Sequence, residues 1–541
     1  MEETRMIQRR KSILARNRIL SMVMAIGMII ALLVPMIAAM AEDPTAAPAS
    51  EPITATGQKQ VLHMATSADF APYEYKEGEG FAGIDIEIAQ AIAEKLGMEL
   101  EITDIAFDSV IAGVVTGKYD IGMSGITETP ERAQTVNFSE HYANAVQAVI
   151  VKEDSDIQSA DDFYNVDAEG NPVSVKDGLM VGVQTSTTGD LYISDTVENG
   201  GVGEDHRIQY KTGADAVQAL STGKVQAVVI DNEPAKNFVK LYKGLKLLDT
   251  PYVEEEYAIA INKNNTELLQ RVNVAISQLK ADGTIANITN KYINSGDDSV
   301  DTSTLAGQFK LNFINGDRWK WIVQGLGRTL LITLFAVLVG ILIGIIIAAI
   351  RSSYDKNYEE LEKKGGLTFG LMKVLNFLSN LYLTVIRGTP VVVQLLIMYF
   401  IIFASSKNGT LVAILTFGIN SGAYVAEIFR SGIMAIDNGQ FEAGRAVGFN
   451  YFQTMRYIIL PQMIKVVLPT VLNEFISLLK ETSIVGYVGI MDLTKAGDNI
   501  RGRTLSAFMP LIAVALIYLC LVIILTQVMK ALERRMRKNE R

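Results

Sequence analysis

Residues 442–461 read EAGRAVGFNYFQTMRYIILP, a charged, glycine-containing segment set between two long apolar blocks. Glu442 to Val447 suit a short helix, Gly448 can end it in the left-handed conformation that glycine tolerates, and Pro461 suits the start of the next helix, where its missing N–H costs nothing. Flanked by stretches apolar enough for lipid, such a segment offers a partner a rigid polar knob. The fold must therefore include a helical membrane bundle that this loop interrupts.

The composition agrees and adds a second part. Of 541 residues 49% are hydrophobic and the mean hydropathy is positive. Length alone suggests three or four domains, yet apolar runs cluster at 19–41 and after 321, whereas 58–300 is polar and rich in Asp and Glu. A soluble domain and a membrane domain share one chain. The net charge of −10 resides mainly in the soluble interval, which argues for solubility and against a nucleic-acid partner. The single cysteine, Cys520, lies inside an apolar run, so no intrachain disulfide is possible and the soluble part must be held by core burial.

In order along the chain, residues 1–41 have the basic start, apolar run and Ala39-Met40-Ala41 site of a signal peptide, although the run is long enough for an N-terminal membrane anchor. Residues 42–58 form a Pro/Ala/Thr/Ser spacer. Over 59–293 short apolar strands alternate with helices, the rhythm of an α/β domain with mainly parallel sheet. Its two sets of units occupy about 59–143 and 144–255, and the tail 256–293 returns to the first. Residues 294–318 read as a tether.

Five apolar stretches follow within 319–534: about 319–350, 390–404 opened by Arg387-Gly388-Thr389-Pro390, 410–434, 463–489 and 506–529, before the basic tail 535–541. If 60–300 is outside the cell, five crossings put 351–388, the loop 437–462 and the C-terminus inside, in keeping with the positive-inside tendency. Asn473, Glu474, Lys480 and Glu481 interrupt the fourth stretch; residues of this kind face a bundle interior or a water-filled path, an interfacial segment being the alternative.

Two regions resemble known families. Residues 60–293 are similar to the polar amino-acid binding proteins of bacterial importers, the glutamine- and histidine-binding type, through ATSADFAPYEY, FAGIDIEIAQAIAEKLG, YDIGMSG, GITETPER and ADGTIANITNKY. The 442–461 loop resembles the signature loop of ATP-binding-cassette importer permeases. Glu442, Ala443, Gly444, Gly448, Ile458, Leu460 and Pro461 stand at that family's spacing, with Gly444 in place of a second Ala. Any membrane loop is charged and carries Gly and Pro, but a generic loop does not fix seven residues at set intervals. RGTP, NSGAYVAEIFRSGI and NEFISLLKETS also look like the amino-acid branch of these permeases.

These resemblances imply an α/β two-lobed periplasmic-binding-protein clamshell of type II, crossed near 142–146 and 253–257, followed by an all-α transmembrane permease domain of the MetI-like type. They imply a cytoplasmic ATPase dimer met by Glu442, Ala443, Gly444, Gly448 and Pro461, a second permease copy with homodimer favoured over heterodimer, an amino-acid ligand and a lipid bilayer. No GxxxxGK[ST] is present, since VVTGKYD and LSTGKVQ lack both the first Gly and the final Ser/Thr. ATP and Mg are therefore expected on the partner and no cofactor on this chain. His63, His141 and His206 are scattered, so neither a metal site nor an enzyme's catalytic set is expected.

An amino acid needs a partner for its carboxylate, its ammonium and its side chain once water is excluded. Thr129 can cap a helix with Pro130 at its first position, placing the planar fork of Arg132 in the first turn; a plain surface arginine is the alternative, and the resemblance makes Arg132 the carboxylate clamp. Asp231 ends the apolar strand 225–230, where it can meet the ammonium or simply cap the next helix. Thr187 and Thr188 stand between a strand and a helix, and Gly125 and Thr127 can add backbone and hydroxyl contacts. The resemblance makes Phe70 and Phe107 pocket walls and puts Ser67 where some relatives carry an acid. Asp69 and Glu128 could supply negative charge instead, so the cargo reads as a polar amino acid, glutamine-like or otherwise polar or charged. The alternative class is an amino-acid-gated channel or ligand-sensing receptor, but such a channel needs a pore loop inside the clamshell, and 59–293 is uninterrupted.

Overall fold

The computed structural model describes residues 60–293 and 304–538, apart from Lys407 and Ala507. The expected signal or anchor, the spacer and the last residues of the basic tail lie outside the described residues.

The soluble part has two lobes, each built on a sheet. In the first, Val61–Thr66 pairs in parallel with Glu99–Asp104 and Ile121–Gly122, and Ala260–Asn262 adds antiparallel beside Val136–Phe138. In the second, Val181–Gln184 runs parallel to Arg207–Tyr210 and Ala227–Asp231, and the long strand Ala143–Lys152 joins Ala227–Asp231 antiparallel. Val253–Tyr257 pairs with Ala143–Lys152 in the register Ala143 to Tyr257 and Val253 to Gln147, so the two chain crossings between lobes are one antiparallel ribbon. The helix Ile84–Leu96 shows why the sequence folds locally: Ile84, Ile86, Ile88 and Ile92 are fully buried, and Gly97 closes the helix at φ 70°.

Among the described residues five helices are long and apolar enough to cross a membrane: Trp319–Lys356, Gly366–Gly388, Gly409–Met434, Tyr451–Val488 and Phe508–Arg535. The second differs from the sequence expectation, which began it at the Arg387 motif and left 374–386 outside the bilayer. Val374, Phe377, Leu378, Leu381 and Val385 of Gly366–Gly388 are exposed apolar residues, the surface that lipid requires. Thr389 and Pro390 then break the helix before the short piece Val391–Ile402, because Pro supplies no N–H and pushes its predecessor to an extended conformation.

The tether is also shorter than expected. Thr304 caps the helix Leu305–Phe309, Phe313 is buried beside Trp321 and Ile500, and the amide of Asn312 meets Ser506 at 3.2 Å while its oxygen accepts from Thr504 at 2.8 Å. Burial of Phe313 overrides the polar composition that suggested a free linker.

In the 437–462 loop, the helix Asn438–Ala446 ends at Gly448, φ 85°. Pro461 stands in the first turn of Leu460–Glu481, as expected, but no break separates that helix from what precedes it. The helical path continues from Tyr451 through a widened π turn, Met455–Ile459, whose longer spacing absorbs the proline's missing donor. A Cβ on Gly444 would lie 2.6 Å from both Oγ1 and Cγ2 of Thr454, which explains why glycine stands there.

The receptor sits on one end of the bundle. One hydrophobic core runs across the junction, joining Ile105, Val110, Val114 and Tyr119 of the first lobe to Leu395, Tyr399, Phe417 and Ile490 of the bundle. Gly409 abuts Tyr399 at this end. The helix Gly409–Met434 then rises about 39 Å, at ~1.5 Å per residue, to the 437–462 loop at the opposite end.

Candidate functional site

Between the lobes lies a narrow cleft with a cavity volume of about 30 Å³, whose walls include Ser67, Phe70, Phe107, Gly125, Arg132, Thr187, Thr188 and Asp231. Eight of the nine ligand contacts expected from sequence thus share one cavity, and Asp69, the possible added negative charge, lines it too. Thr127 stands just behind: its hydroxyl donates to Glu255 at 3.1 Å and its carbonyl accepts from Arg132 at 2.7 Å, so it holds the arginine rather than lining the space. Glu128 lies apart, beside His141 at 3.6 Å.

Arg132 is placed as its sequence context dictates. Thr129 accepts from the Arg132 backbone N–H at 3.2 Å, Pro130 occupies the first turn, and the guanidinium reaches across the cleft to the Ser186 carbonyl at 2.9 Å. Ser186 has φ 66°, a left-handed conformation rare for a non-glycine residue and typical of strained binding positions. The Arg132 guanidinium also stands 5.8 Å from the Phe107 ring. Burial lowers its pKa, with Glu255 opposing.

Asp231 fulfils both of its sequence readings. One carboxylate oxygen accepts from the Glu233 N–H at 3.0 Å and caps the next helix; the other accepts from the Tyr257 hydroxyl at 2.7 Å. Burial pushes its pKa up to about 7, although those two hydrogen bonds pull it down. Thr187 caps the helix Thr188–Ser194 and donates to the Gln184 carbonyl at 2.8 Å, leaving buried Thr188 as the nearer contributor.

Sequence reasoning missed the acids and amides beneath the cleft. Glu74, Ser124, Gln147, Gln184 and Tyr257 complete its walls. Asp85 accepts from the Gly125 N–H and the Tyr142 hydroxyl, each at 2.8 Å, and burial pushes it up to about 7; Glu74 accepts from Ser124 at 2.6 Å and is raised further by burial and by Asp85. Gly125, φ 52°, has Phe70 and Tyr257 ring atoms 3.2 Å from where a Cβ would stand, so the main chain comes close to both rings.

The mouth of the receptor meets the bundle through the helix Leu493–Thr504. Lys495 pairs with Asp104 of the first lobe at 2.9 Å, and Arg501 pairs with Asp215 of the second. Lys211 of the second lobe reaches Asp498 at 3.2 Å, Arg503 reaches Glu77 of the first at 3.5 Å, and Leu505 packs into the second lobe's core. One helix of the bundle therefore grips both lobes.

A two-lobed solute receptor joined to a membrane permease is the class this architecture defines. Residues 62–295 match the model of the bacterial extracellular solute-binding proteins, family 3, and residues 365–538 that of the binding-protein-dependent transport system inner membrane component. A putative glutamine transport system permease protein, GlnP of Rickettsia typhi, is 38% identical over 31% of this chain and 78% of its own length. The arginine transport system permease protein ArtQ of Bacillus subtilis is 38% identical over 32% of this chain and 84% of its own. The arginine-binding extracellular protein ArtP of the same organism is 32% identical over 46% of this chain and 91% of its own.

The chain belongs to both families at once. It is the fused receptor and permease of an amino-acid importer of the ATP-binding-cassette class, a multi-pass membrane protein that works with an ATPase partner. The gated-channel alternative receives no support from these comparisons.

Proposed function

We propose that the cleft captures a polar α-amino acid, with Arg132 on its carboxylate and Asp231 on its ammonium. The observation that carries this reading is the convergence on one cavity of a half-buried cation from the first lobe and a buried carboxylate from the second. Either charge alone would be costly to bury, and a zwitterion satisfies both. Thr188 and Gly125 add short-range contacts, and Phe70 and Phe107 enclose the side chain. Relatives that carry glutamine or arginine in their names support a cargo of that polar range.

Delivery follows from the geometry. The receptor and the 437–462 loop occupy opposite ends of the bundle, which supports a receptor outside the cell and a loop in the cytoplasm, where Glu442, Ala443, Gly444 and Gly448 meet an ATPase dimer. Two such loops serve the two ATPase subunits when the permease pairs with a second copy of itself. ATP and Mg act on that partner. Isothermal titration of the full chain in lipid nanodiscs with L-glutamine and L-arginine tests the capture step. Binding of at least one is expected, with loss of roughly a hundredfold or more in Arg132→Ala, as the removal of a buried charge-assisted partner entails. Undiminished binding in that variant would overturn the assignment.

A further inference from the structure

The permease itself places a cation at the wall of the cleft. Asp69 is one of the lining residues; its carboxylate accepts from Ser67 at 3.1 Å, and Ser67 lines the same space. Directly outside, a Cβ on Gly502 of the docking helix would lie 2.8 Å from the Asp69 Cα, so helix and wall are in contact. From this helix Lys495, its side chain 11% exposed, reaches Asp104 at 2.9 Å, and Asp104 in turn accepts from the N–H of Ala68, the residue before Asp69. Burial raises Asp69 to about 6, Lys495 being the cation that chiefly opposes this, and the two aspartates hold Lys495 charged against its own burial. Lys76 and Asp498 are the other charged groups near this cluster.

We propose that Lys495 is a release residue: docking sets its ammonium beside Asp69 and Asp104, and this lowers the cleft's affinity for an amino acid with a cationic side chain while leaving a neutral one unaffected. The proposal rests on the reading of the cleft as an amino-acid site. With the receptor lifted off the bundle, Asp69 lines the cleft, with Asp104 behind it, without that lysine and can attract a guanidinium or ammonium. Seated on the bundle, the Lys495 ammonium already offsets one of those carboxylates, and a cationic side chain finds less attraction at the cleft wall. The coupling is reciprocal, so a cationic cargo also loosens docking, whereas glutamine does not.

The test is a double-mutant cycle on the full chain in nanodiscs, titrated with L-arginine and with L-glutamine. Lys495→Met should tighten arginine by on the order of tenfold, a common size for coupling between sites, and change glutamine less than about twofold. Lys495→Arg, which keeps the charge, should match the parent chain. In an Asp69→Asn background Lys495→Met should no longer tighten arginine. Equal tightening of both ligands would reduce Lys495 to a docking contact and overturn the proposal, as would no change for either, or a full effect that persists without the Asp69 carboxylate. Failure of the parent chain and all variants to bind either ligand would overturn the amino-acid reading itself, and the release role with it.

Discussion

At the scale of single residues, burial raises two carboxyl groups to about 7, Asp231 in the cleft wall and Asp85 beneath it. A carboxyl whose folded pKa exceeds its unfolded value of about 3.9 favours the protonated native state, so its contribution to stability is complete below pH ~4 and is lost as pH rises through ~7. The ligand-free chain should therefore unfold at a higher temperature at pH 5.5 than at pH 8, by differential scanning fluorimetry, and Asp85→Asn should shrink that difference. Ligand affinity should move the opposite way, falling up to about tenfold per unit below pH 7, because a protonated Asp231 cannot pair with an ammonium. A pH-independent affinity would count against Asp231 as the ammonium partner. Arg132 and Asp231 were legible because each carries a local signal, the Thr129-Pro130 cap and the end of an apolar strand. Gln147 and, beneath the cleft, Asp85 were not, since each is brought there only by the packing of elements far apart in sequence.

At the scale of elements, the 437–462 loop is two helical pieces braced by Gly444 against Thr454, with the π turn Met455–Ile459 easing the chain into Pro461. Gly444→Ala forces a methyl into contact with the buried Thr454 side chain, an overpacking that costs about 1–3 kcal/mol. Uptake into proteoliposomes with the ATPase should fall several-fold in Gly444→Ala while ligand binding stays intact, and Thr454→Ala should restore it. Uptake unchanged by Gly444→Ala would show that the loop tolerates a methyl there. The sequence disclosed this loop because its spacing is local. The second membrane helix was less legible: an amphipathic stretch, 374–386, resembles a surface helix until the neighbours that leave one face for lipid are known.

At the scale of the whole molecule, the docking helix ties lobes to bundle with pairs such as Lys495 and Asp104, which lie 391 residues apart. No pattern in the chain advertises such partners, and so this surface was illegible from sequence although both domains were plain. Arg501, with its side chain 6% exposed, is one of the second lobe's anchors, through Asp215. Asp215 is only half-buried and Arg501 also pairs with Asp498 at 3.0 Å, so losing either member weakens the grip on the second lobe without stranding a charge. Arg501→Ala and Asp215→Ala should each reduce uptake at least tenfold without altering ligand affinity of the undocked receptor, and the double variant should be little worse than either single one. Additive losses would place the two residues on separate tasks.

The receptor's first lobe ends at Ile293 and the bundle's leading segment is anchored from Thr304. Eleven residue steps can stretch at most about 40 Å, at ~3.5 Å each. A receptor leashed so closely faces its own port at an effective concentration in the millimolar range, far above any that a free pool would sustain. A moderate grip is then saturated with no separate pool of receptor, and the rate of import follows the supply of nutrient in the medium.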